Sequence, residues 1–181
     1  MVDKIFLITG NPDKVNAARK AFKTKDIELS RIDNKYEEIQ AGSSMEIARH
    51  TVEEMMDDFD NPVVREDHSL YLEGLGGIPG PYISYFDKNL PVETLLELLE
   101  DRSRKGYFEI CAAVGYKGKI KKYRFRVPIE ISEEPRGEEG NIDKVLMLED
   151  GEKSFSESSS DRRTHIFNRN FRRIAEDFEN R

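Results

Sequence analysis

Two hydrophobic periods alternate along this chain, and the switches between them mark out its elements. Lys4-Ile5-Phe6-Leu7-Ile8 is an almost unbroken apolar run, which predicts a central strand covered on both faces. A small polar turn, Thr9-Gly10-Asn11, separates it from Pro12-Asp13-Lys14 and a segment whose Val15, Ala18, Ala21 and Phe22 share one helical face. Ile27 to Ile32 alternates as a second strand and leads into Tyr36-Glu37-Glu38-Ile39-Gln40. Ser43 and Ser44 are placed to cap a helix from about Met45 to Phe59, with Ile47, Ala48, Thr51, Val52, Met55 and Met56 turned inward. Pro62-Val63-Val64 reads as a short buried strand that ends where Glu66 and Asp67 begin a loop. Pro91 to Leu99 fits a short helix. Tyr107–Tyr116 and Lys121–Ile131 fit a hairpin turned by Lys117-Gly118-Lys119, with Tyr123, Phe125 and Val127 on one face and Arg124 and Arg126 on the other. A last helix, from about Phe167 to Phe178, packs Phe171, Ile174, Ala175 and Phe178 inward.

Composition narrows what these elements serve. A chain of 181 residues is long enough to bury a real core and fits one domain, or one domain pinched into two lobes. Its formal charge of -7, from 29 basic and 36 acidic residues, argues against a general nucleic-acid coat. The basic residues of the Lys117–Arg126 hairpin read as an ordinary charged edge rather than a nucleic-acid platform. The single cysteine, Cys111, lies between Phe108-Glu109-Ile110 and Ala112-Ala113-Val114, so it reads as a buried strand residue, and no internal disulfide or cysteine-based zinc cluster is possible. No apolar run approaches the roughly 18 residues of a membrane span, and the N-terminus lacks the layout of a signal peptide, so a cytoplasmic protein with no membrane partner is expected.

Three polar clusters interrupt this scaffold. Glu66-Asp67 is followed by Gly74, Gly76, Gly77 and Gly80 with Pro79 and Pro81, a density that lets backbone approach a ligand closely and restricts the connection. The plain alternative is an acidic strand end before a surface loop. Glu37-Glu38 is a second carboxylate pair after a strand. Thr9-Gly10-Asn11 with Lys14 in the first helical turn suits a phosphate, because backbone N–H groups and an ammonium converge there. The same residues also serve simply to turn and cap a chain.

Thr9-Gly10-Asn11 with Lys14, Glu38-Ile39-Gln40, Glu66-Asp67, and above all Gly76-Gly77-Ile78-Pro79-Gly80-Pro81-Tyr82-Ile83 together resemble the inosine triphosphate pyrophosphatase family, in order and spacing, over residues 4 to 178. The resemblance implies an α/β fold with an elongated mixed β-sheet flanked by helices, in a single two-lobed domain spanning residues 1–181 with a central cleft. It implies a homodimer that hydrolyses nucleoside triphosphates between the α and β phosphates with Mg2+, preferring ITP, dITP and XTP. Carried over residue by residue, it makes Asp67 the general base, Glu38 and Asp67 the metal ligands with Glu66 a further candidate, and Thr9, Gly10, Asn11 and Lys14 the phosphate contacts. His68, Asp143, Arg163, Asn168 and Arg169 complete the implied substrate contacts. The chemistry suits these residue types: a triphosphate must be charge-neutralised before water attacks phosphorus, which calls for a hard cation on oxygen ligands and a fixed lysine.

The C-terminal third departs from the family pattern. Gly140-Asn141-Ile142-Asp143-Lys144 stands where an aromatic normally packs near the purine, and only its aspartate matches. Phe167-Asn168-Arg169 replaces Ser-His-Arg, with His165 two residues early; His68 replaces a threonine, and Ser84 a lysine. A lost aromatic platform removes roughly 1 to 3 kcal/mol of stacking per base. Two other readings therefore stand beside the first: the same hydrolysis with a different base preference, or a nucleotide-binding module with weak turnover.

Overall fold

In the computed structural model, which describes residues 2–33, 36–148 and 151–179, the first strand is buried as its pattern predicts. β1 (Lys4–Ile8) has β2 (Glu28–Ile32) and β3 (Val63–Leu72) as parallel neighbours, with Ile5 opposite Leu29 and Leu7 opposite Val64. β4 (Pro79–Gly80) folds back antiparallel on β3, pairing Gly80 with Leu70. β5 (Lys105–Tyr116), β6 (Lys119–Ile131) and β7 (Leu146–Leu148) complete a mixed seven-stranded sheet in the order β2-β1-β3-β5-β6-β7, with β7 antiparallel to β6. The helices are α1 (Pro12–Lys23), α2 (Ser44–Met55), α3 (Ile83–Asn89), α4 (Val92–Leu98), α5 (Ser160–Phe167) and α6 (Arg169–Glu179). The α/β architecture implied by the resemblance is the one observed.

The chain divides into two compact units, residues 1–67, 110–125 and 164–181, and residues 68–109 and 126–163. In the first, α1 and α6 share a core with one face of the strands: Val15, Ala18 and Phe22 meet Ile5, Leu7, Val64, Ala112 and Val114, and Phe171, Ile174 and Phe178 close it, with Phe22 edge-on to Phe171 at 6.0 Å. Successive strand residues point to opposite faces. Ile8, Ile32 and Val63 therefore pack with Met55 of α2, and Ala113 with Ala48 and Val52. Gly115 lets α2 come this close, because a Cβ there would stand 2.6 Å from Val52 Cγ1 and 2.7 Å from Met56 Cβ. In the second unit Gly106 plays the same part, its absent Cβ facing the Tyr71 carbonyl at 2.3 Å. Tyr107 stacks on Tyr71 at 5.1 Å, and the Arg126 guanidinium covers Tyr107 while pairing with Glu109 at 2.9 Å.

Two expectations change. β3 does not stop at Val64: it runs ten residues to Leu72, so Glu66 and Asp67 lie inside a strand rather than at its end. Pairing with β4 and β5 prolongs it, and those partners are distant in sequence. The glycine-rich stretch is used to reverse the chain onto β3, with Gly76 and Gly77 at φ +65° and +93°, values that need glycine at no steric cost. The last helix forms as expected, as α6, but another helix, α5, precedes it, and the serine-rich run before α5 is partly buried: Ser158 Oγ donates to Ser154 O, and Ser159 Oγ accepts from Arg162 N–H at the start of α5.

Candidate active site

The turn after β1 is built by its own side chains. Asn11 Oδ1 caps α1, accepting from Asp13 N–H at 2.8 Å and Lys14 N–H at 3.4 Å, and Thr9 Oγ1 accepts from Asn11 N–H at 3.1 Å. Arg31 clamps the turn from β2, donating through Nε to Thr9 O at 2.9 Å and through Nη2 to Gly10 O at 3.2 Å. The capping role left open by the sequence is thus present. It also fixes the direction of Lys14, whose Nζ donates to the Glu66 backbone carbonyl at 2.8 Å and stands 3.9 Å from Asp67 Oδ1. Burial pushes the Lys14 ammonium below its ordinary pKa; the charges of Asp67, Glu66 and Glu38 oppose that, and Arg65 adds to it.

Glu38 reaches the same strand from a segment without regular structure. Its Oε1 accepts from Arg65 Nη2 at 2.5 Å, and Arg65 Nη1 donates to Tyr36 Oη at 2.7 Å and Ile8 O at 3.2 Å. Because side chains alternate along β3, Arg65 and Asp67 share one face and Glu66 takes the other. Glu66 is buried there, and Asn170 of α6 donates to it through Nδ2 at 3.4 Å and to Ile110 O at 3.2 Å. The first unit therefore brings Thr9, Gly10, Asn11, Lys14, Glu38 and Asp67 to the C-terminal end of β1, beside the middle of β3, while Glu66 is turned away from Glu38 and Asp67. Among the described residues no group of three or more His, Cys, Asp or Glu side chains is placed to hold a metal ion. Two carboxylates are nonetheless the usual protein share of a Mg2+ site in which substrate phosphates supply further oxygens.

The other implied substrate contacts fall in two groups. Asn168 and Arg169 belong to the first unit: Asn168 is buried with its Oδ1 unpartnered, and Arg169 lies over the Phe125 ring at 5.4 Å. His68, Asp143 and Arg163 belong to the second. Arg163 covers the Phe155 ring at 5.3 Å. Desolvation, with the nearby Asp87 and Glu139 charges, raises the Asp143 carboxyl to about 6 against the pull of Arg163. Asn141 ties this segment to α3 by donating to Asp87 O and Leu90 O, both at 2.7 Å. His165 is exposed on α5 and takes no place in either group.

A family model described as the Ham1 family matches residues 5–171. The chain belongs to the Ham1 family. The inosine triphosphate pyrophosphatase resemblance carried by its motifs is thereby borne out. A dITP/XTP pyrophosphatase of Methanopyrus kandleri is 33% identical over 184 residues, covering 98% of this chain and 97% of the relative. One of Thermococcus kodakarensis is 30% identical over 168 residues, covering 92% and 91%. The solved HAM1 protein of Coxiella burnetii superposes with a TM-score of 0.82 over 100% of both chains at 19% identity, a likeness of fold. Among the described residues no helix is long and apolar enough to cross a membrane.

Arg31, Arg65 and Asn170 were not singled out by sequence. Arg65 did carry a signal, a charge directly after two valines in a strand pattern. Arg31 and Asn170 carried none, because the partners that tie them to the site, Gly10 and Glu66, lie 21 and 104 positions away.

Proposed function

We propose that this protein is a Mg2+-dependent nucleoside triphosphate pyrophosphohydrolase that converts deaminated purine nucleotides such as ITP, dITP and XTP to the monophosphate and pyrophosphate. The observation that carries the proposal is the convergence of Lys14, Asp67 and the Glu38–Arg65 pair where the end of β1 meets the middle of β3, in a chain of this family. Mg2+ bound there would neutralise phosphate charge and lower the pKa of a coordinated water. Glu38 and Asp67 are the side chains that would hold it. Asp67 orients the attacking water and takes its proton as the oxygen bonds to phosphorus; the α–β bridging bond breaks, and its oxygen leaves with pyrophosphate. Lys14, fixed by the Glu66 carbonyl, meets phosphate charge as a cation held near Asp67. The capped turn at Thr9, Gly10 and Asn11 offers backbone to the phosphates. Asn168 and Arg169 are the proposed base contacts, and His68, Asp143 and Arg163 further substrate contacts. A homodimer in the cytoplasm belongs to the same reading.

A different base preference is the second reading, favoured by the lack of an aromatic from Gly140 to Lys144. Pyrophosphate release from ITP, dITP, XTP, ATP, GTP and CTP separates the two. The first expects kcat/KM for the deaminated purines to exceed that for ATP and GTP by about 100-fold or more, as a polar pocket permits. Faster turnover of another nucleotide of the panel moves the chain to the second reading. Binding without release for every nucleotide removes the enzyme assignment.

A further inference from the structure

Arg65 is a charge where the strand pattern calls for an apolar side chain. It follows Val63 and Val64, both fully buried, and is itself 4% exposed. Taking a guanidinium out of water costs several kcal/mol per ion, and a well-packed apolar residue often stabilises as well or better. Stability alone therefore does not account for it. Its hydrogen bonds point one way: Nη1 is held by Ile8 O and Tyr36 Oη, the guanidinium lies over the Tyr36 ring at 4.7 Å, and Nη2 is thereby aimed at Glu38. Nε stays buried without a partner, so the group is oriented at the expense of one donor. Glu38, in contrast, has no element to hold it, and its side chain is 65% exposed.

We propose that Arg65 is a positioning residue: it fixes the Glu38 carboxylate on the face of β3 that carries Asp67, so that the two present to a divalent cation as one site. This rests on the reading of Glu38 and Asp67 as the cation-holding pair. Ligating carboxylates are commonly oriented by such hydrogen-bonding partners, and losing the partner typically costs 10- to 100-fold in metal affinity or activity. Arg65 donates through Nη2 to one Glu38 oxygen, Oε1, and most of the carboxylate stays open to solvent. A planar fork is what reaches Ile8, Tyr36 and Glu38 together; an ammonium has one nitrogen to share among them.

The test is Mn2+ binding, followed by electron paramagnetic resonance in the presence of a non-hydrolysable α,β-methylene analogue of ITP. Arg65→Met is expected to weaken Mn2+ binding by about 10- to 100-fold, Glu38→Gln by a similar factor, and the double variant by no more than either. Binding of the analogue in EDTA should stay within about threefold of the parent, a result that general loosening of the fold does not give. Arg65→Lys, which keeps the charge without the fork, is expected to fall between parent and Arg65→Met, and it carries the test should Arg65→Met not fold. A loss in Glu38→Gln with parental Mn2+ affinity in the Arg65 variants overturns this inference and leaves the proposed function standing. Parental affinity in Glu38→Gln removes Glu38 as a ligand, and the inference falls together with the cation-holding role proposed for Glu38.

Discussion

Asp67 and Lys14 stand 3.9 Å apart on a strand and a helix that no local rule connects, and that pairing makes the carboxylate worth testing. Asp67→Asn preserves volume and removes only the charge and the basic oxygen. If Asp67 handles water in the reaction, kcat should fall by orders of magnitude while nucleotide affinity, measured by calorimetry without turnover, stays within about tenfold. A large loss of binding with a proportionate loss of rate makes Asp67 a binding group instead. Asp143 supports a prediction that needs no substrate. Its carboxyl is raised from 3.8 to about 6, first by desolvation and then by Asp87 and Glu139. The folded state therefore holds this proton more tightly than the unfolded chain, and stability falls as pH climbs from about 4 through about 6. Asp143→Asn removes that slope. Its stability gain over the parent, from urea unfolding, should be small near pH 4 and reach roughly 1 to 2 kcal/mol by pH 7; a gain independent of pH contradicts the assignment.

At the scale of elements, the contact of α2 with β5 depends on an atom that is not there. A Cβ on Gly115 would press into Val52 and into Met56 Cβ, which no rotamer change moves away. Gly115→Ala should therefore destabilise by about 1 to 3 kcal/mol, as overpacking does, read as a lower urea midpoint with unchanged slope. The same scale explains what sequence could and could not reveal. α1 was readable almost to the residue, because its cap, Pro12 and the spacing of Val15, Ala18 and Phe22 are all local. Lys14, Glu38 and Asp67 were readable as polar residues against an apolar scaffold. The length of β3 was not, since its second half is held by β4 and β5. Nor was the role of Arg65: a strand period assigns its face, but Tyr36 and Glu38, which make a buried charge tolerable, lie 29 and 27 positions earlier. α3 was hidden because it begins directly after the Gly80-Pro81 turn, with no side-chain cap to announce it.

For the whole molecule, the decisive fact is that the boundaries between the two compact units fall inside strands. β3 passes from one to the other after Asp67, β5 after Glu109 and β6 after Phe125. Because each of these strands is continuous along the chain, neither set of residues can lose its part of one without fraying a strand that the other also uses, and cooperative unfolding follows. Thermal unfolding should thus be one transition, coincident by far-ultraviolet and near-ultraviolet circular dichroism, the latter sensing the seven tyrosines of a chain without tryptophan. Glycine variants on either side make the test sharp. Gly106→Ala forces a methyl against the Tyr71 carbonyl in one unit, and Gly115→Ala against α2 in the other. If the molecule unfolds as one body, each should lower the same Tm, by about 2–4 °C per kcal/mol for a chain of this size, with the two probes still superimposed. Should Gly106→Ala split the curve into two steps, moving one and leaving the other in place, the two units are separate folding bodies.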